Sequence, residues 1–132
     1  MRARSRSIEN NGRHIAMTHK ATNQRKEEHK LEALLYEHRP ERPFDGEIWL
    51  GVKAYFEIPK SKTKKFKEAA EAGEIHPRTK PDLDNIIKML KDVCNGVFWT
   101  DDKIIVGYLP GTGKYYGSPA RWEVEIVVKE GE

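Results

Sequence analysis

From Arg121 to Lys129 the side chains alternate without a break. Trp122, Val124, Ile126 and Val128 point one way, and Arg121, Glu123, Glu125 and Lys129 point the other. A period of two is the geometry of a strand, and a strand with one apolar face must lay that face on a core. Glu47 to Glu57 repeats the pattern, with Ile48, Leu50, Val52, Ala54 and Phe56 on one face and the partly aromatic set Trp49, Lys53 and Tyr55 on the other. Two such strands need a covering layer, and the chain supplies it as amphipathic helices. From a cap at Thr22 or Asn23, Leu31, Leu34, Leu35 and His38 line one side of a helix that Pro40 and Pro43 end. Beyond Lys80, Ile86, Ile87, Leu90, Val93 and Cys94 form a second apolar stripe. The expectation is an α+β fold, a small mixed β-sheet with helices packed on one face.

The chain has 132 residues, enough for a single domain over 1–132 that buries roughly two-thirds of its unfolded surface without a disulfide or a structural metal. The lone cysteine, Cys94, falls on the apolar side of a helix and reads as a buried, reduced thiol in a cytoplasmic setting. The five histidines show no zinc spacing. No apolar run approaches the roughly 20 residues of a membrane span.

Between these elements lie segments of other character. Residues 1–20 hold too little apolar material for a core, and Asn10-Asn11-Gly12 marks a turn. Ser61 can cap a short helix through Ala72, closed by Gly73. Glu74 to Lys80 looks like an exposed, mobile connection. Lys103 to Leu109 reads as a strand. Pro110 to Pro119 contains Gly111-Thr112-Gly113-Lys114, a fragment of a phosphate-binding loop without its first glycine; a hairpin connection explains it better.

Charge is unevenly divided. Residues 1–26 carry seven cations against Glu9 alone, a net +6, whereas the remainder holds 17 cations and 20 anions, a net −3. A basic arm suits a polyanion, because each cation set against a phosphate releases counterions; a solvated tail is the competing explanation. Arg2, Arg4 and Arg6 are its candidate DNA contacts. Lys60, Lys62, Lys64 and Lys65, at the start of a helix where cations oppose the macrodipole, and Lys80 are the others.

The acids have their own pattern. Asp82 and Asp84 precede and open the second amphipathic helix, Lys88 follows Asp84 by one turn, and Asp101-Asp102 lie just past the helix and its Asn95-Gly96 C-cap. If the turn at Asp101-Asp102 returns to the start of the helix, three carboxylates converge. All-oxygen ligands of that kind suit Mg²⁺, with Mn²⁺ as a substitute, better than zinc. Such an ion activates water and stabilises a leaving oxygen in phosphodiester hydrolysis. A structural account competes here too: Asp84 as N-cap, Lys88 as its i+4 partner, Asp101-Asp102 as a turn.

The run Pro81-Asp82-Leu83-Asp84-Asn85-Ile86-Ile87-Lys88, continued by Asp92 and by Asn95-Gly96-Val97-Phe98-Trp99-Thr100-Asp101-Asp102, resembles the RusA family of Holliday-junction resolvases. The strand ending Phe56-Glu57-Ile58-Pro59, the lysine-rich helix and the C-terminal strand also fall where that family has counterparts. The resemblance implies that Asp82, Asp84 and Asp102 bind a catalytic Mg²⁺, that Lys88 assists catalysis, and that Asp101 is the neighbour to test as a substitute for Asp102. It further implies a homodimer nicking symmetric strands of a four-way DNA junction. Other branched DNA as substrate, or nucleic-acid binding without catalysis, are the alternatives. One departure stands out: the family opens with an apolar strand, and this chain starts Met1-Arg2-Ala3-Arg4. A sheet edge left uncovered, open to another chain, is the expectation that follows.

Overall fold

The computed structural model describes residues 12–20 and 27–129. In chain order its elements are β1 (Gly12–Lys20), α1 (Glu27–His38), β2 (Glu47–Phe56), α2 (Lys64–Glu71), α3 (Leu83–Cys94), a 3₁₀ turn (Asp102–Ile104), β3 (Ile105–Tyr108), β4 (Gly113–Tyr116) and β5 (Arg121–Lys129). One mixed five-stranded sheet runs β1-β5-β2-β3, with β4 also on β2. β5 lies antiparallel between β1 and β2, from Lys129 opposite Glu47 to Arg121 opposite Tyr55. The other edge of β2 is shared end to end, with β3 parallel along Ile48–Leu50 and β4 parallel along Lys53–Phe56. This is the single-domain α+β architecture that the patterning predicts.

The core sits between the sheet and the helices. Ile48, Leu50, Val52 and Ala54 of β2 and Trp122, Val124, Ile126 and Val128 of β5 are buried, as the alternation requires. Leu31 and Leu35 of α1 and Ile86, Ile87, Leu90 and Cys94 of α3 cover them. Each fully buried aliphatic or aromatic side chain contributes about 1.5–3 kcal/mol against the entropy of ordering the chain. On α1, Leu34 is only half-buried and His38 is exposed with its ring on the Leu34 carbonyl, so the stripe is narrower than its spacing implies.

Several expectations are corrected. Residues 12–20 are not outside the core: β1 pairs along the whole of β5 and buries Met17. Half a strand face of modest apolarity suffices because ladder hydrogen bonds hold the backbone; β1 covers one edge of β5 and is itself the outermost strand of the sheet on that side. The rest of the N-terminal turn, the arginines at 2, 4 and 6 and the caps at Thr22 or Asn23 lie outside the described residues. The glycine-rich loop is more than a hairpin connection, since Gly113–Tyr116 forms β4 against β2. Its tyrosines provide the reason: Tyr115 packs on Tyr55 and Tyr116 meets Phe66 of α2 edge-on. Thr63, not Ser61, caps α2, its hydroxyl accepting from the Phe66 amide at 3.1 Å. Strand character after the acids begins only at Ile105.

Candidate active site

α3 starts where the sequence places it. Asp82 is its N-cap, with extended backbone, and its carbonyl accepts from the Ile86 amide at 3.1 Å. The Asp82 carboxylate makes no capping hydrogen bond. Asp84 lies in the first turn, where the helix dipole favours a negative charge. Both side chains are exposed. The segment ahead of them is tied down, contrary to the expectation of a loose connection. His76 Nδ1 lies 2.8 Å from the Lys114 carbonyl, Lys114 Nζ donates to the Thr79 carbonyl at 2.5 Å, and Pro77 is buried. β4 thus fixes the approach to Asp82, which is reached through a cis Lys80–Pro81 peptide bond.

A second constellation forms at the other end of α3. Gly96, at φ +80°, turns the chain out of the helix in a conformation that side chains resist. Its amide donates to the Trp99 carbonyl at 2.7 Å. The Trp99 indole N–H then donates to Asp102 Oδ1 at 2.7 Å, and the Asp102 amide donates to Asn95 Oδ1 at 2.9 Å. Asp102 is a half-buried carboxylate held by a buried tryptophan and a C-cap asparagine. Asp101 is used differently, its Oδ1 accepting from the Lys103 amide at 2.9 Å to cap the 3₁₀ turn.

Burial, and next to it the Asp102 carboxylate, push the Cys94 thiol up to about 12. The thiol is therefore protonated and inert, in agreement with its reading as a packing residue. Native protein at pH 8 is expected to leave Cys94 unmodified by a maleimide, with one thiol appearing on denaturation. Because the folded pKa exceeds the unfolded one, the native state holds the proton longer. The stabilisation is complete below about pH 9 and is lost as pH rises toward 12. Urea midpoints measured across that range should fall more steeply for wild type than for Cys94→Ala.

The two constellations do not meet within the chain. α3 has 12 residues, and about 16 Å of axial rise separates Asp84 from Asn95. The sheet gives the same answer independently. Asp82 shares a pocket with Trp122, which pairs with Ala54 near the C-terminal end of β2. Thr100 instead bonds Asp45, just ahead of its N-terminal end. Among the described residues no group of three His, Cys, Asp or Glu side chains is placed to hold a metal. The convergence of Asp102 on Asp82 and Asp84 therefore fails because the turn after α3 runs to the near end of β2 and does not double back along the helix. Asp82 and Asp84 remain a pair of hard oxygen donors. That fits Mg²⁺, which keeps several waters and takes one or two carboxylates plus substrate phosphates.

Lys88 does not pair with Asp84. Its ammonium lies 3.3 Å from Asp92, with the two side chains 74% and 56% exposed. Such a pair contributes about 0.3–0.5 kcal/mol, so Lys88 swings free at little cost. Lys60, Lys62, Lys64, Lys65 and Lys80 are all exposed. The candidate DNA contacts among them thus flank α2 and the start of α3. Two features are absent from the sequence reading: the Trp99–Asp102–Asn95 lock, for which the three-residue spacing of Trp99 and Asp102 after an Asn-Gly cap is a usable signal, and a pocket of about 450 Å³ beside Asp82 that includes Asn85 and Met89.

A family model described as "Endodeoxyribonuclease RusA" matches residues 2–127. The chain is also 40% identical over 96 residues to "Uncharacterized protein YqaN" of Bacillus subtilis (strain 168), a match that takes in 71% of this chain and 65% of that relative. The chain thus spans about two-thirds, or slightly less, of the length of that protein.

Proposed function

The chain belongs to the endodeoxyribonuclease RusA family, and from that membership we propose that it is a Mg²⁺-dependent, structure-selective endodeoxyribonuclease. In this reading it resolves Holliday junctions by paired, symmetric nicks. The observation that carries the site assignment is the Asp82 carboxylate: it stands at a helix N-cap without capping, beside the exposed Asp84. A cap that ignores its helix is left for a ligand.

Asp82 and Asp84 are the residues that hold Mg²⁺. When bound, the ion supplies charge neutralisation and activation of the attacking water. Lys88, one turn along α3, leaves its exposed contact with Asp92 and sets its ammonium against the charge that develops on the phosphate. Lys80, Lys60, Lys62, Lys64 and Lys65 hold the DNA backbone, and Arg2, Arg4 and Arg6 extend that contact. Asp102, locked by Trp99 and Asn95, joins Asp82 and Asp84 only in a homodimer that sets the C-terminal end of one α3 beside the N-terminal end of its partner's.

Nicking of a synthetic four-way junction tests the function. The expected result is a pair of symmetric cuts in Mg²⁺ or Mn²⁺, none in EDTA, and little cutting of linear duplex. Junction binding without metal-dependent nicking would leave a non-catalytic binding protein, and equal cutting of forks or flaps would broaden the substrate to other branched DNA. The role of Asp102 has its own test. Mixed dimers of Asp82→Asn and Asp102→Asn subunits should regain one of two cuts, since one composite site keeps both carboxylates. Inactive mixed dimers would confine Asp102 to its own chain.

A further inference from the structure

The Gly111-Thr112-Gly113-Lys114 run is a motif of the sequence that the proposed function does not use. Its lysine is not held out toward an anion. Lys114 pairs with Ala54, a buried position on the helix side of the sheet, and is half-buried with its Nζ 5.0 Å from the centre of the Phe56 ring. The ammonium donates to the Thr79 carbonyl at 2.5 Å, and the Lys114 carbonyl accepts from His76 Nδ1 at 2.8 Å. One residue of β4 thus grips the connection from α2 to α3 at two points, through its side chain and through its backbone. Tyr115 adds a further hold, its ring packing on Tyr55 and meeting the His76 ring edge-on with 5.3 Å between centroids.

We infer that Lys114 is a positioning residue for the metal pair: by anchoring Thr79 it holds the Asp82 carboxylate within reach of the ion that Asp84 also binds. The inference deepens the nuclease reading and rests on it for the role of that ion. Three residues of chain, from Thr79 to Asp82, span at most about 10 Å, so a fixed Thr79 leaves Asp82 little room to swing. The anchor falls where burial has ended. Pro77 is buried, whereas Arg78, Thr79 and Lys80 are exposed and the Asp82 carboxylate makes no capping hydrogen bond. Groups that orient a metal ligand without touching the metal govern its affinity by about 10–100-fold. Charge alone predicts the opposite sign. A lysine near a cation site repels the ion, so its removal would tighten binding, whereas loss of an anchor weakens it.

The test titrates Mn²⁺ into DNA-free protein and reads its binding from the paramagnetic broadening of the Asp82 and Asp84 amide NMR signals. Lys114→Met, which keeps an aliphatic stem beside Phe56 and removes the donor, is expected to bind Mn²⁺ about tenfold more weakly. Backbone order parameters at residues 78–82 should fall from about 0.85 to below about 0.6, with the core signals unmoved. Lys114→Arg, which restores a donor, should recover most of the affinity. His76→Phe keeps a ring on Tyr115, loses the bond to the Lys114 carbonyl, and should weaken Mn²⁺ binding in the same direction. In nicking assays the Mg²⁺ concentration for half-maximal rate should rise about tenfold for Lys114→Met, while the rate at saturating Mg²⁺ stays near that of wild type. Mn²⁺ affinity in Lys114→Met equal to or tighter than wild type, or order parameters that do not fall, overturns the inference even if nicking proceeds. So does a fall in junction affinity in EDTA with about one unit lost from the salt slope, which would make Lys114 a phosphate contact. Weaker Mn²⁺ binding in Lys114→Met alongside a wild type that never nicks junctions instead upholds the anchor and removes the nuclease reading.

Discussion

Asp82→Asn is expected to slow junction nicking by about a thousandfold while the junction stays bound. A metal ion stabilises transition-state charge by several kcal/mol, and each 1.36 kcal/mol is a factor of ten, so loss of one carboxylate ligand at about 4 kcal/mol gives that magnitude. Folding should be almost unaffected. Asparagine is as good an N-cap as aspartate, the carboxylate makes no capping hydrogen bond, and the side chain is exposed. Affinity in EDTA should rise slightly, because one negative charge facing the phosphates is removed. The comparison of turnover with affinity separates the alternatives: a residue that only begins a helix would change neither. Asp84→Asn should behave in the same way.

Trp99→Ala is expected to be the most damaging single change to stability, at about 3–5 kcal/mol. Trp99 is fully buried with Phe98 beside it, and its backbone bridges both Phe44 and Asn95. Removing the indole opens a cavity and leaves the half-buried Asp102 without its donor. Domains of this size are stable by only about 5–15 kcal/mol, so the denaturant midpoint should fall by a large fraction of its value. Trp99→Phe divides the effect. It keeps most of the volume and loses the hydrogen bond, and should cost about 1–3 kcal/mol. If Trp99→Phe proves as stable as wild type, the indole contact with Asp102 carries no weight in the fold.

The parts of the fold that repeat a period were legible in the sequence. β5 alternates because one face meets α3, and α3 shows its stripe because one face meets β5; each pattern reports its own burial. β1 and β4 were not legible. Among the described side chains of β1 the buried hydrophobic is Met17, and β4 is four residues whose tyrosines pack on β2 and α2, so neither offers a run of apolar alternation. What forms them is pairing with strands distant in sequence. The site divides in the same manner. Asp82, Asp84 and Lys88 were placed at the start of α3 because a helix start is local information. The position of Asp102 was not, because it depends on where the turn after Gly96 leads the chain, and that is decided by the bridges from Phe44 to Trp99 and from Thr100 to Asp45. The family resemblance named Asp102 as a residue of interest without locating it. The pocket beside Asp82 was invisible for the same reason, since Trp122 and Asn85 meet only when β5 and α3 pack.

Anomalous diffraction from crystals soaked in Mn²⁺ tests the central claim most directly. The account predicts a peak held by the Asp82 and Asp84 carboxylates, with Asp102 of the same chain outside its coordination sphere. A peak at the Trp99–Asp102–Asn95 turn, or none at Asp82 and Asp84 under conditions in which the protein nicks junctions, would contradict it.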